Sequence, residues 1–111
     1  MEIKLISVDK KLIKYLKFFD VNSVDKLTLD QGNKFFVEVI KDFKNGKLTL
    51  DELSVFGSIL FHGVAKTKRG RSDLFVASLS AMDLAFEIRN VYDNVPQHMR
   101  DIDEFFEKYR S

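Results

Sequence analysis

The side chains able to do chemistry are few: a lone carboxylate among apolar residues, two histidines, one basic run and one acidic run. Asp83 stands within Leu79-Ser80-Ala81-Met82-Asp83-Leu84-Ala85-Phe86. A carboxylate buried on such a face needs a counter-charge, which His62 or Arg89 could supply. A His–Asp pair in a cleft is also what general acid–base catalysis uses. Ser78 and Ser80, however, lack any nucleophile-elbow signature, so a structural ion pair or a polar stripe toward solvent accounts for Asp83. The sequence therefore names no catalytic residue, and the expectation is a protein that is not an enzyme. His98, directly after Pro96-Gln97, is far from His62, and neither Glu-x-x-His nor His-x-x-x-His occurs. With no cysteine either, a transition-metal site is not expected. No glycine-rich phosphate loop is present, and no cofactor is implied.

The segment Asp42 to Glu52 imitates half of a calcium loop, with Asn45-Gly46 followed by Leu48 and Glu52. Aligning Gly46 with the loop's glycine puts Lys41 and Phe43 where oxygen ligands belong. A helix stop followed by a new helix start explains the same residues without a metal.

Two charged runs remain. Lys66-Thr67-Lys68-Arg69-Gly70-Arg71 carries four cations in six residues. Lys66, Lys68, Arg69 and Arg71 could hold phosphate, aided by backbone amides where Ser72 opens the next helix, or could form a solvated loop. No aromatic platform for single-strand stacking lies beside them. The acidic run is Asp93, Asp101, Asp103, Glu104 and Glu107. Such a face keeps an amphipathic helix in water, and it also captures a basic protein through steering and rim ion pairs.

The elements that would position these groups read as helices. Only one proline, Pro96, interrupts the 111 residues. The phrase Lys26-Leu27-Thr28-Leu29-Asp30-Gln31 returns as Lys47-Leu48-Thr49-Leu50-Asp51-Glu52. Each copy is a capping box, a threonine for the first amides and a Gln or Glu three residues on reaching back. A first helix is expected from Ser7-Val8-Asp9 to about Phe19, with Leu12, Ile13, Leu16 and Phe19 at helical spacing; Ile3 to Ser7 is too short to assign. Ser23 to Lys26 reads as a helical connector. The second helix starts at the first box and stops at Asn45-Gly46, and the third starts at the second box, where Leu48 and Leu53 form a hydrophobic staple. Gly57 and Gly63 would admit a close neighbour or end that helix. A fourth helix is expected over Asp73 to Asn94, broken by Pro96, and a fifth from about Gln97 to Tyr109. On the fifth, Met99, Ile102, Phe105, Phe106 and Tyr109 face inward. The expectation is all-α, one domain over residues 1–111: an antiparallel bundle of about five helices with helices three and four central.

Composition agrees with that reading. Apolar residues at 45% and charged residues at 32% balance as in a folded chain, and 11 Phe against 3 Tyr and no Trp predict a phenylalanine-rich core. A net charge of +1 lacks the basic excess of a duplex binder. Neither a signal-peptide core nor an apolar run of membrane-spanning length occurs, so no membrane partner and a cytoplasmic location are expected.

The phrase Phe43-Lys44-Asn45-Gly46-Lys47-Leu48-Thr49-Leu50-Asp51-Glu52-Leu53, then an apolar helix, then Leu74-Phe75 opening a second long helix, resembles the small helical bacteriocin immunity proteins, in particular those against colicin D-like toxins. The resemblance spans Phe35 to Phe86; the preceding helix and the basic loop depart from it. It implies a protein with one partner, a basic nuclease toxin whose active site it occludes with acidic side chains that mimic phosphate. Asp93, Asp101, Asp103 and Glu104 would then be the partner-binding residues. The alternative from the residues themselves is a phage-type or nucleic-acid-associated accessory protein using Lys66, Lys68, Arg69 and Arg71.

Overall fold

Two threonines set the register of the bundle. In the computed structural model, which describes residues 2–67, 72–90 and 95–110, Thr28 accepts the Gln31 N–H at 3.1 Å while the Gln31 amide oxygen accepts the Thr28 N–H at 2.9 Å. Thr49 and Glu52 repeat the exchange at 3.1 and 2.8 Å. Both boxes are thus complete, and they open α2 (Leu29–Lys44) and α3 (Leu50–Leu60). The other helices are α1 (Glu2–Phe18), α4 (Asp73–Asn90) and α5 (Val95–Tyr109). A 3-10 turn at Val24–Lys26 precedes α2, and a π-helical turn at Phe61–Ala65 prolongs α3. The fold is an all-α bundle, with α3 and α4 at its centre.

Between α2 and α3 the chain reverses through Gly46, whose φ of +78° lies in the left-handed region that glycine enters without a Cβ clash. The Gly46 N–H donates to the Phe43 carbonyl and the Lys47 N–H to the Asp42 carbonyl, the paired closure of a Schellman end. The same closure ends α1, where the Val21 N–H reaches the Leu16 carbonyl and Asp20 takes the left-handed position at φ 58°. The calcium-loop look-alike is therefore a helix stop and a helix start. Its glutamate, Glu52, is buried, held by the Thr49 amide and by the Lys11 ammonium of α1 at 2.9 Å.

Helix boundaries differ from expectation at two places. α1 begins at Glu2 rather than Ser7. Ile3/Ile6 and Leu5/Val8 are spaced three apart, so the stretch suits a helix as well as a short alternation. α5 begins at Val95, with Pro96 in its first turn, where the missing N–H has no intrahelical acceptor to lose. The fourth helix is described to Asn90, and the expected stretch to Asn94 lies outside the described residues. Ile13 also departs from its expected inward position, being 53% exposed, because Leu12, Tyr15, Leu16 and Phe19 form the stripe that meets the core.

The core is phenylalanine-rich. Phe35 contacts Tyr15 at 5.2 Å, Phe19 at 6.3 Å and Phe56 at 6.2 Å between ring centres, and Phe36 meets Phe105 of α5 at 5.5 Å. A hydrogen bond from Tyr15 to Asp42 ties α1 to α2, and burial together with that bond pushes the phenol's pKa upward. The radius of gyration, 13.0 Å, matches the roughly 13 Å expected for one compact body of this length. Among the described residues, no helix is long and apolar enough to cross a membrane.

Where α3 crosses α4, the helices touch through backbone. A Cβ built on Gly57 would lie 2.8 Å from each of the Ser78 carbonyl oxygen, the Ala81 Cβ and the Met82 nitrogen. Ala77, Ser78 and Ala81 are buried along that seam, and the Ser54 hydroxyl donates across it to the Met82 carbonyl at 2.7 Å. Gly63 plays a lesser version of the same part, admitting Val24 of the 3-10 turn. Gly57→Ala must push the two central helices apart, and a loss of about 1–3 kcal/mol is expected from urea unfolding midpoints. Parent-like stability of Gly57→Ala would show that the seam is loose.

Candidate protein-docking surface

The acidic run divides on α5 because of helical geometry. Residues 101 and 104 are one turn apart and share a face, whereas residue 103 is turned well away from 101. Asp101 faces α4. Its Oδ2 accepts the hydroxyl of buried Ser80 at 2.8 Å, and its Oδ1 accepts the Gln97 side-chain amide at 2.8 Å. Arg100 in turn donates to the Gln97 carbonyl oxygen at 2.7 Å. Both oxygens of Asp101 are thus held while the carboxylate remains partly open to solvent. Glu104 is exposed, one turn further along.

In an antiparallel pair the start of α4 lies beside the end of α5, which brings in a carboxylate from the first turn of α4. Asp73 accepts the Lys108 ammonium at 2.6 Å and the Tyr109 hydroxyl at 2.7 Å. These two donors hold the Asp73 carboxyl below its ordinary value of 3.8, and the same bond pushes the Tyr109 phenol up. Ser72 caps α4 by accepting the Phe75 N–H at 3.1 Å. Asp73, Asp101 and Glu104, with Lys108, then surround a depression of about 280 Å³ floored by Val76 and Phe105. Three carboxylates against one ammonium leave it locally negative.

Of the four residues expected on the acidic surface, Asp101 and Glu104 come together here. Asp103 points instead toward α2, where it pairs with Lys44 at 2.7 Å, and Lys44 also lies 5.4 Å from the centre of the Phe106 ring. Asp93 lies outside the described residues. The missing member, Asp73, was signalled only by its position opposite the last turn of the fifth helix.

The other candidates stay apart. His62 is exposed with its ring edge-on to Phe61, Asp83 is half-buried, and no hydrogen bond or ion pair joins them among the described residues. Ser78 donates back to the Phe75 carbonyl at 3.2 Å within its own helix. His98 has both ring nitrogens buried without a hydrogen-bond partner among the described residues. Lys66 is exposed after the π turn, and the Thr67 hydroxyl closes that turn on the Gly63 carbonyl at 2.9 Å. Lys68, Arg69 and Arg71 lie outside the described residues. Among the described residues, no cluster of three or more His, Asp or Glu side chains could hold a metal.

No family model matches the chain, and searches of curated proteins and of solved structures return no match.

Two outcomes follow from this geometry. Asp101→Ala strands the buried Ser80 hydroxyl and should destabilise by about 1–2 kcal/mol in chemical denaturation. Glu104→Gln, at an exposed site, should stay within about 0.5 kcal/mol of the parent. The depressed Asp73 carboxyl binds a proton less readily in the folded than in the unfolded chain, so its stabilisation is present above pH 3.8 and lost as pH falls through the lower folded value. The melting-temperature difference between parent and Asp73→Asn should therefore be small, constant from pH 5 to 7, and vanish toward pH 2. A difference that grows on acidification would contradict the assignment.

Proposed function

We propose that the protein is a non-enzymatic binding module of the immunity or inhibitor type, which neutralises a cognate basic toxin by covering its active site. The carrying observation is the depression between α4 and α5, where Asp101 accepts the buried Ser80 hydroxyl and Asp73 accepts the Tyr109 hydroxyl beside exposed Glu104. Carboxylates already ordered lose little freedom on binding, so more of their attraction to a cationic partner is retained. Their field also accelerates encounter with a basic surface. Oxygens arrayed this way are suited to the cations with which a nuclease would hold phosphate. The proposal includes Asp93 as a partner-binding carboxylate and a cytoplasmic encounter, where a nuclease toxin meets its nucleic-acid substrate.

The test is co-expression with the product of a toxin-like reading frame beside the gene, followed by binding kinetics on the purified pair. Neutralisation should be restored by the intact chain, whose association slows as salt is added, and Glu104→Lys should slow association tenfold or more at low salt, an effect on the order of 1.4 kcal/mol or larger. Full neutralisation by Glu104→Lys combined with Asp73→Asn, at parental association rates, would rule out this surface.

A further inference from the structure

A second surface, of opposite chemistry, lies on the far side of α5. The last turn of α1, the outer face of α2 and the last turn of α5 enclose a groove of about 560 Å³. Phe19, Val37, Phe106 and Tyr109 provide its apolar lining, and Phe18 stands at its edge with 80% of its surface exposed. A smaller depression of about 180 Å³ shares Phe18, Phe19 and Glu38 and continues along α1 to Lys14. The Phe18 ring meets Phe19 edge-on at 5.2 Å, so it extends the groove's apolar lining outward.

The rim is cationic. Lys34 and Lys41 lie two turns apart on α2, about 10 Å along the axis, and Arg110 faces them from the end of α5. Lys34 pairs with Asp30 at 3.4 Å and Arg110 with Glu107 at 3.0 Å, both exposed pairs within their own segments, and the Arg110 guanidinium also lies 5.9 Å from the centre of the Phe106 ring. Such pairs contribute little and exchange partners readily. The Lys41 ammonium makes no hydrogen bond or ion pair among the described residues.

We infer that this groove binds an acidic amphipathic segment of a partner polypeptide, its apolar side chains seated among Phe18, Phe19 and Phe106 and its carboxylates on Lys34, Lys41 and Arg110. The charge complementarity is discrete rather than continuous. Glu38 sits on α2 between the two lysines, so a phosphate chain laid from one to the other would cross a carboxylate. A peptide avoids that clash by placing an uncharged residue there, with acidic residues seven positions apart on a helix meeting Lys34 and Lys41. The groove and the acidic depression meet only at Tyr109, whose ring lines the groove while its hydroxyl donates to Asp73, so substitutions at Lys34, Lys41 and Phe18 test the groove without touching the depression.

The experiment is fluorescence anisotropy on the full chain with a labelled helical peptide carrying Leu or Phe at positions i, i+3 and i+7, two Glu seven positions apart on the flanking face and an uncharged residue midway between them. Saturable binding is expected, weakened at least tenfold by Lys34→Glu with Lys41→Glu and severalfold by Phe18→Ser, and unchanged by Glu104→Lys. All three groove side chains are exposed, and circular dichroism checks that each variant keeps its helices. A Lys34→Gln, Lys41→Gln pair, milder in charge, should give an intermediate loss. Three results would each overturn the inference. They are equal affinity for the same peptide with Lys in place of Glu, no binding up to about 1 mM, and tighter binding of oligothymidine that displaces the peptide.

Discussion

The close approach of α3 and α4 at Gly57 is the constraint on which the other contacts rest. A helix pair ordinarily sits 8–10 Å apart because side chains keep the backbones separate. Here Gly57 lets the Ser78 carbonyl and the Met82 amide nitrogen of α4 come against α3 directly, and Ala77 and Ala81 continue the small-residue seam. The larger side chains are displaced to either side of it. Leu53, Phe56 and Leu60 of α3 and Leu74 and Leu84 of α4 are fully buried there, and the aromatic cluster of Phe35 and Phe56 packs against α1 and α2.

α4 is consequently held from two directions. Ser78 belongs to the seam with α3, while Ser80, two residues on and therefore turned to the other side, binds Asp101 of α5. The same helix that is locked into the core thus carries one wall of the acidic depression. Asp101 inherits its fixed position from that packing. Lys44 with Asp103 and Phe36 with Phe105 complete the anchoring of α5 onto α2. The opposite surface is made where the ends of α1 and α5 meet the outer face of α2, which leaves Phe18 without cover and gathers Lys34, Lys41 and Arg110 around it.

What was legible in the sequence was local. Thr28, Thr49 and Gly46 declare their roles within a few residues, and the helices they bound fall where they indicate. α1 carries no such signal at its start, and Ser7, which reads as a helix opener, lies inside the helix. The central place of helices three and four followed from their all-round apolar character, because only neighbours on every side can cover such a surface. The candidate site was half legible. Asp101 and Glu104 share a face by helical spacing, but the same spacing turns Asp103 away toward Lys44, a distinction that reading the charges as one acidic exterior overlooked. Asp73 joins them only through the antiparallel pairing of α4 with α5, and the groove at Phe18 needs three elements at once. Neither is written in any single segment.

Native-state hydrogen exchange tests the role of the central pair most directly. Amides of α3 and α4 around Gly57, from Leu53 to Leu60 and from Ser78 to Leu84, should exchange only through global unfolding, while amides of α1 open at lower free energy. Amides of α1 or α2 that outlast those of α3 and α4 would contradict the account and move the frame of the fold elsewhere.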